Sequence, residues 1–515
     1  MISQLRSVRL LGQDAPVDIT LAAGRIARIT PAGAAPRLPG GIDGEGRFLT
    51  SGLWDEHVHF GQWAQQSSRF DLGAAESAAA ALELLAAGLR ADEAEPGTHP
   101  GAEFVAVRAR AGAWTAGITR DALDALAGPR PLVVISADLH GIWLNSAALA
   151  ARGLPVTGDG HIVEDECFAL LREIDSLAPA ALDALVARAG RAAAARGVVG
   201  IVDLEMRWCI DDWLRREAAG FDLLRVEAGI YPNQLDRAID AGYRSGDALG
   251  TAGRLSVGPL KMITDGSLGT GTAWCCDPYP DGGHGRSLVA ADELLALMRR
   301  ATAAGLDLTL HAIGDRAVAQ VLDAYAALGR GGRMEHAQLL RTADIARFAE
   351  LGITASVQPE HLVDDREATE LQWPGRAGRT FPLASLHATG AQLVFGSDAP
   401  VAPLDPWRWI QAAVTRARPG EPSWTPEERL PAAVALAASM RGALRPAAGE
   451  LADLVLLDRD PLRTDPERLS ETAVAATLVG GVLTHRTPEL GAPEFGASEF
   501  GAPEPGAPEL SAPAR

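Results

Sequence analysis

The sequence predicts an α/β fold: a barrel of parallel strands joined by helices, beside a small β domain assembled from both chain ends. Three observations point there. From about residue 130 the pattern runs strand, loop, helix and then repeats, which is how parallel strands with helical crossovers read. Both ends are instead rich in short strands. The 515 residues, 47% of them hydrophobic, suffice for one large core and a companion domain. The expected boundaries are 1–50 and 446–486 for the two parts of the β domain, 51–445 for the barrel with an insertion at about 60–130, and 487–515 for a tail.

Taken in order, Val17 to Leu21 and Arg25 to Ile29 flank Ala22-Ala23-Gly24 and read as a hairpin. Similar runs at 453–457 and 475–483 suit the same domain, because the two ends of a domain often lie close together. A mostly apolar stretch at 46–54 reads as a buried strand and leads into Asp55-Glu56-His57-Val58-His59. Alternate residues of a strand point to one side, so His57 and His59 at its end can aim both imidazoles at one metal ion. Alone, the pair could equally be two exposed polar groups. Residues 60–129 shift towards Ala, Leu and Glu, with a helical run at 74–89 and a loop at 95–100, and read as an insertion near the site. The strand candidates that follow are 132–136, 198–204, 223–230, 255–263, 306–310, 333–335, 353–357 and 392–395, with helices at 181–195, 292–304, 317–328 and 342–351 between them. From 487 a near-pentapeptide repeat of Gly, Ala, Pro and Glu cannot bury a core, and disorder is expected there.

A net charge of -19, with no clustered Lys and Arg, excludes a nucleic-acid footprint. No apolar stretch approaches the roughly 18 residues of a membrane span, and Met1-Ile-Ser-Gln-Leu-Arg opens no apolar leader. A soluble cytoplasmic protein with a small-molecule substrate is expected, and nothing in the sequence forbids a homo-oligomer. Cys167, Cys209, Cys275 and Cys276 are too few for a disulfide framework and read as ordinary reduced residues.

Catalytic groups in such barrels come from the C-terminal ends of several strands. Lys261, His311, His336 and Asp398 each fall where a strand should stop, and with His57 and His59 they make six groups able to ligate or bridge a divalent metal. Individually, Asp398 could be a helix N-cap and Lys261 a salt-bridge partner of Asp265 or another carboxylate. His140 and Asn145 follow one strand candidate and His361 follows another, so these three are candidate substrate contacts, with a structural hydrogen-bonding role as the alternative for the first two.

Read together, the segments His57-Val58-His59, Lys261 through Asp265-Gly266-Ser267, His311-Ala312-Ile313-Gly314-Asp315-Arg316, Glu335-His336-Ala337-Gln338 and Gly396-Ser397-Asp398-Ala399-Pro400 resemble the amidohydrolase superfamily. The resemblance is to its family-3 branch, which includes N-substituted formamide deformylase. Asp138 to Asn145, Ser356 to His361 and Ala413 to Arg416 are similar to that branch as well. The resemblance implies a distorted (β/α)8 TIM barrel, a small β-sandwich built from both chain ends, and a centre for one or two divalent ions, Zn2+ by the chemistry of imidazole and carboxylate donors. It implies His57, His59 and Asp398 on the first ion, His311 and His336 on the second, and Lys261 carboxylated as a bridge, since a free ammonium cannot ligate a cation. Asp398 would also be the general base. The implied activity is hydrolysis of a C–N bond in a small N-acyl, N-formyl or cyclic amide. The alternatives are an aminohydrolase acting on an amidine-like carbon and a catalytically silent scaffold. Two positions depart from the branch: Ser51 stands where Pro is usual, and Glu56 precedes His57 where small polar residues are common.

Overall fold

The structure is a computed structural model and describes residues 1–94, 101–109, 114, 117–136, 141–269 and 271–491. Eight parallel strands follow one another round a barrel in chain order: Leu53–Val58, Val198–Asp203, Arg225–Ile230, Leu255–Ile263, Leu308–Ala312, Gly332–His336, Ile353–Val357 and Leu393–Phe395. They are mostly buried on both faces, as strands covered inside and out must be, and the buried polar residues among them gather at the site described below. The barrel strands and their helices share one continuous core. Helix Asp315–Leu328 shows how a crossover is specified: Val318, Val321, Leu322 and Tyr325 recur on one face and are buried. Gly329 then ends the helix at φ 74°, a left-handed position that glycine takes without strain.

The eighth strand is only three residues long, and it is the segment after it that closes the ring. Val58 and Ala399 form a parallel bridge. The Asp398 N–H donates to the His57 carbonyl at 2.7 Å, and the His59 N–H donates to the Ala399 carbonyl at 2.9 Å. Barrel closure and the placement of three candidate ligands are therefore the same set of hydrogen bonds.

Strands from both chain ends form one eight-stranded sheet in which Phe48–Ser51 pairs with Leu454–Leu457. Strand alternation divides Leu454–Leu457 between two cores: Leu454 and Leu456 face the small domain, whereas Val455 and Leu457 pack on the barrel. The expected start of the tail at 487 needs correction. The Thr487 N–H donates to the Ala475 carbonyl at 2.9 Å, and Leu490 is fully buried in the small-domain core. The rest of the tail, 492–515, lies outside the described residues, as does the expected loop at 95–100.

A second correction concerns Leu132–Ser136. It is not a barrel strand. It lies in a separate five-stranded sheet, between Gly141–Leu144 and Phe104–Ala109, with His161–Val163 and Phe70–Asp71 at the edges. Val134 packs on one face of that sheet, Val133 and Ile135 on the other. The insertion thus fills the chain from His59 to the helix Pro179–Ala195 that precedes the second barrel strand, well past the expected limit near 130. Among the described residues, no helix is long and apolar enough to cross a membrane.

Candidate metal centre

Four strand ends and one short helix bring the donors together at one mouth of the barrel. His57 Nε2 and His59 Nε2 each stand 3.3 Å from Asp398 Oδ1. Two ligand atoms about 2.0–2.1 Å from one ion at the tetrahedral angle stand roughly 3.4 Å apart, so these three atoms have the spacing of a shared ion. A second group consists of His336, His361 and Asp398, whose donor atoms all lie within 4.8 Å of one another. His361 Nε2 is 3.9 Å from Asp398 Oδ2, so Asp398 offers one oxygen to each group. Nδ1 of His336 and Nε2 of His361 are buried without a hydrogen-bond partner. Buried polar atoms are nearly always paired, and two unpaired nitrogens in one three-donor group suit the ligands of a cation. All line a cavity of about 530 Å³. A larger cavity of about 730 Å³ shares Met206 with it but holds none of the donors.

Burial decides the charge states. It pushes His57 down to about 4 and His311 to about 3, with the Lys261 charge acting in the same direction. His336 is held well below the usual imidazole range by burial and by His311. These rings are neutral at pH 7, the form in which imidazole ligates. For His59 burial also disfavours the charge, but the hydrogen bond and charge of Asp398 outweigh it and raise the pKa. Asp398 is kept well below the carboxylate range, because His57 and His59 overcome the cost of its burial. Burial lowers Lys261 to about 8, against the pull of Glu335 and Asp398. Its Nζ lies 3.4 Å from His57 Nε2.

Neither the helix cap weighed for Asp398 nor the pairing with Asp265 weighed for Lys261 is what the geometry gives. Asp265 accepts backbone N–H groups from Trp274 at 2.8 Å, Ile313 at 3.1 Å and Gly314 at 2.8 Å, and forms no ion pair with Lys261. Asp398 caps no helix; the next helix starts at Pro406 and is capped by Asp405. Asp398 instead sits at φ 56° and His336 at φ 69°. Left-handed backbone costs a non-glycine residue on the order of 1 kcal/mol or more and gathers at functional sites.

Behind the donors runs a chain of ion pairs. His57 Nδ1 donates to Glu335 Oε2 at 2.8 Å, with the Gln358 amide 3.2 Å away. Glu335 accepts from Arg333 Nε at 2.6 Å and from the Thr309 hydroxyl. Arg333 reaches Glu56 at 2.8 Å, and Glu56 also accepts from Arg441 at 2.6 Å. Holding Nδ1 in this way turns Nε2 towards the donors and makes the ring a better ligand. Glu56, the unusual residue before His57, is thus a buried anion with two arginines. Asp55 ties the first strand to the eighth: its Oδ1 accepts from His57 N at 3.1 Å and Ser397 N at 2.9 Å, and its Oδ2 from Ser397 Oγ at 2.5 Å.

Of the residues singled out from sequence, His57, His59, Lys261, His311, His336, His361 and Asp398 all line the one cavity. His311 is in neither three-donor group; its Nε2 is 3.4 Å from the Gly266 carbonyl and 3.5 Å from Asp265. Asn145 is a correction. Its Oδ1 accepts from Leu132 N at 3.0 Å and Ala148 N at 2.9 Å, its Nδ2 donates to the Arg130 carbonyl at 2.9 Å, and it is fully buried as the cap of a helix. It is not among the residues that line the cavity. His140 lies outside the described residues. Sequence reasoning passed over Glu335, Gln358, Arg333 and Asp55, although Glu335 directly precedes His336 and Gln358 stands three residues before His361.

Residues 40–485 match the amidohydrolase family, and the chain belongs to it. It is accordingly a hydrolase acting on carbon–nitrogen bonds. It is similar to Protein LONG AFTER FAR-RED 3 of Arabidopsis thaliana, 27% identical over 474 residues, 80% of this chain and 78% of that protein. N-substituted formamide deformylase of Arthrobacter pascens is 30% identical over 197 residues, 35% of this chain and 36% of that one. The fold matches the crystal structure of an uncharacterized metal-dependent hydrolase from Pyrococcus furiosus with a TM-score of 0.71 at 23% identity, covering 89% of this chain and 99% of the other.

Proposed function

We propose that the protein hydrolyses the C–N bond of a small N-acyl, N-formyl or cyclic amide, with zinc at the barrel mouth. The observation that carries this reading is the position of Asp398, 3.3 Å from both His57 and His59 through one oxygen and facing His361 through the other. His57, His59 and Asp398 would hold a first ion. Lys261, carboxylated on its amine, would join it to a second, beside His311 and His336. The neutral fraction that a pKa of about 8 leaves on this amine is the form able to take up carbon dioxide. Bound divalent zinc supplies Lewis acidity to the carbonyl and lowers the pKa of water.

The chain's own groups do the rest. Asp398, an ionised carboxylate, takes the proton of the attacking water and returns it to the leaving nitrogen. Glu335 holds the His57 ring in place, accepting from its Nδ1. Ile263, Leu268, Ile313 and Val401 give the cavity an apolar wall. Among its described lining residues Lys261 is the one lysine or arginine, while Asp364 and Asp365 supply carboxylates. This favours a neutral amide over an N-acyl amino acid anion, and the similarity to the formamide deformylase points the same way.

The test is a screen of zinc-loaded protein against N-substituted formamides, neutral N-acyl amines, cyclic amides and N-acyl amino acids, following amine release. Ammonia released from an amidine-type ring, with no amide cleaved, would replace this reading with an aminohydrolase. Loaded protein that turns over nothing in either series would leave a scaffold.

A further inference from the structure

We propose that His361 is itself a metal ligand in this chain, completing the second position with His336 and Asp398 Oδ2. The inference rests on the reading that the site holds metal and goes beyond it by naming a donor that lies past the seventh strand. His361 is the third residue of the short helix Pro359–Asp364, which leaves the end of the strand Ile353–Val357. Proline at the first helical position starts that helix at once and turns His361 inward. Its side chain is 8% exposed, and its Nε2 has no hydrogen-bond partner.

The spacing separates a ligand from a hydrogen-bonding group. His361 Nε2 and Asp398 Oδ2 are 3.9 Å apart, too far for a hydrogen bond. They are too close to admit a substrate between them. The gap is about 0.5 Å wider than the roughly 3.4 Å of two tetrahedral ligands, so an ion bonded to both atoms draws the ring and the carboxylate together by that much. The imidazole of His336 completes the set, parallel to that of His361 within 13° at a centroid distance of 6.1 Å, with its own Nδ1 buried and unpaired. His311 lines the same position but stands outside this three-donor group, its Nε2 3.4 Å from the Gly266 carbonyl.

Metal-free protein is titrated with Co2+, and bound ions per chain are counted by equilibrium dialysis and elemental analysis for wild type, His361→Asn and His361→Gln, with circular dichroism to establish folding. Two different replacements are used so that a folding defect in one does not end the test. Wild type is expected to bind two ions. Each folded variant is expected to keep one and to lose affinity for the other by more than the roughly 10–100-fold that removal of an outer partner costs. Two ions bound at wild-type affinity in a folded variant, with a raised KM as the sole change, make His361 a substrate contact and overturn the proposal. A single ion in wild type, unaffected by either substitution, overturns it too. Uptake of no ion by wild type sinks the functional reading along with it, which separates the two failures.

Discussion

At the scale of single residues, the six strand-end groups were legible because each interrupts an apolar run where a strand must stop. Glu335 was not, because it acts through another side chain and a carboxylate beside a histidine has no signature of its own. Glu335→Gln keeps the shape but removes the charge that fixes the His57 ring, and it should cost roughly 10–100-fold in metal affinity, measurable by competition with a chelating dye. Asp398→Asn should lower kcat by about 10²- to 10⁴-fold, the range for a lost general base, while a first ion is still bound. Asn145 stayed open between two roles for a plain reason: an asparagine after a strand looks the same in sequence whether it caps a helix or meets a substrate, and the structure makes it a cap. pH adds a third expectation. His59 is raised above the ordinary 6.5 by Asp398, so in metal-free protein this pair stabilises the fold fully below 6.5 and less as pH climbs through the raised value. Metal must displace that proton, so zinc affinity should increase with pH across the same window, with proton release on binding seen by calorimetry in two buffers.

At the scale of elements, alternation of strand and helix was enough to place seven of the eight barrel strands and the strand-rich ends. It could not say which sheet Leu132–Ser136 joins, since a strand buried on both faces reads alike in any such sheet. The extent of the insertion was lost with it, because a five-stranded sheet with its own helices repeats the rhythm of the barrel. Closure between the first and eighth strands was equally hidden, as it depends on contacts between residues more than 300 positions apart. Gly396 is the tightest point of that closure: a Cβ there would stand 2.5 Å from the His57 backbone nitrogen and 2.9 Å from Asp55 Oδ1. Neither strand can yield without moving a ligand. Gly396→Ala should therefore destabilise the fold by about 1–3 kcal/mol, the usual cost of overpacking, and weaken metal binding at the same time, both readable from thermal melts with and without zinc.

At the scale of the whole molecule, the small β domain and the barrel are held together by strands that each serve two cores, as Leu454–Leu457 does. Leu490 adds to the smaller core from beyond the last strand. A chain ended after Gly491 should melt at the full-length temperature, whereas one ended after Arg486 should lose about 1.5–3 kcal/mol, the worth of burying one leucine. The barrel has a continuous apolar core of its own, so a chelator should remove activity before it removes the fold. The most direct measurement is a zinc titration of chelated protein on an amide identified as a substrate, with bound metal and rate followed together. The account predicts negligible turnover at zero metal and a rate that rises with bound zinc to a plateau at two ions per chain. Full turnover by protein whose metal content has been measured as zero would contradict it.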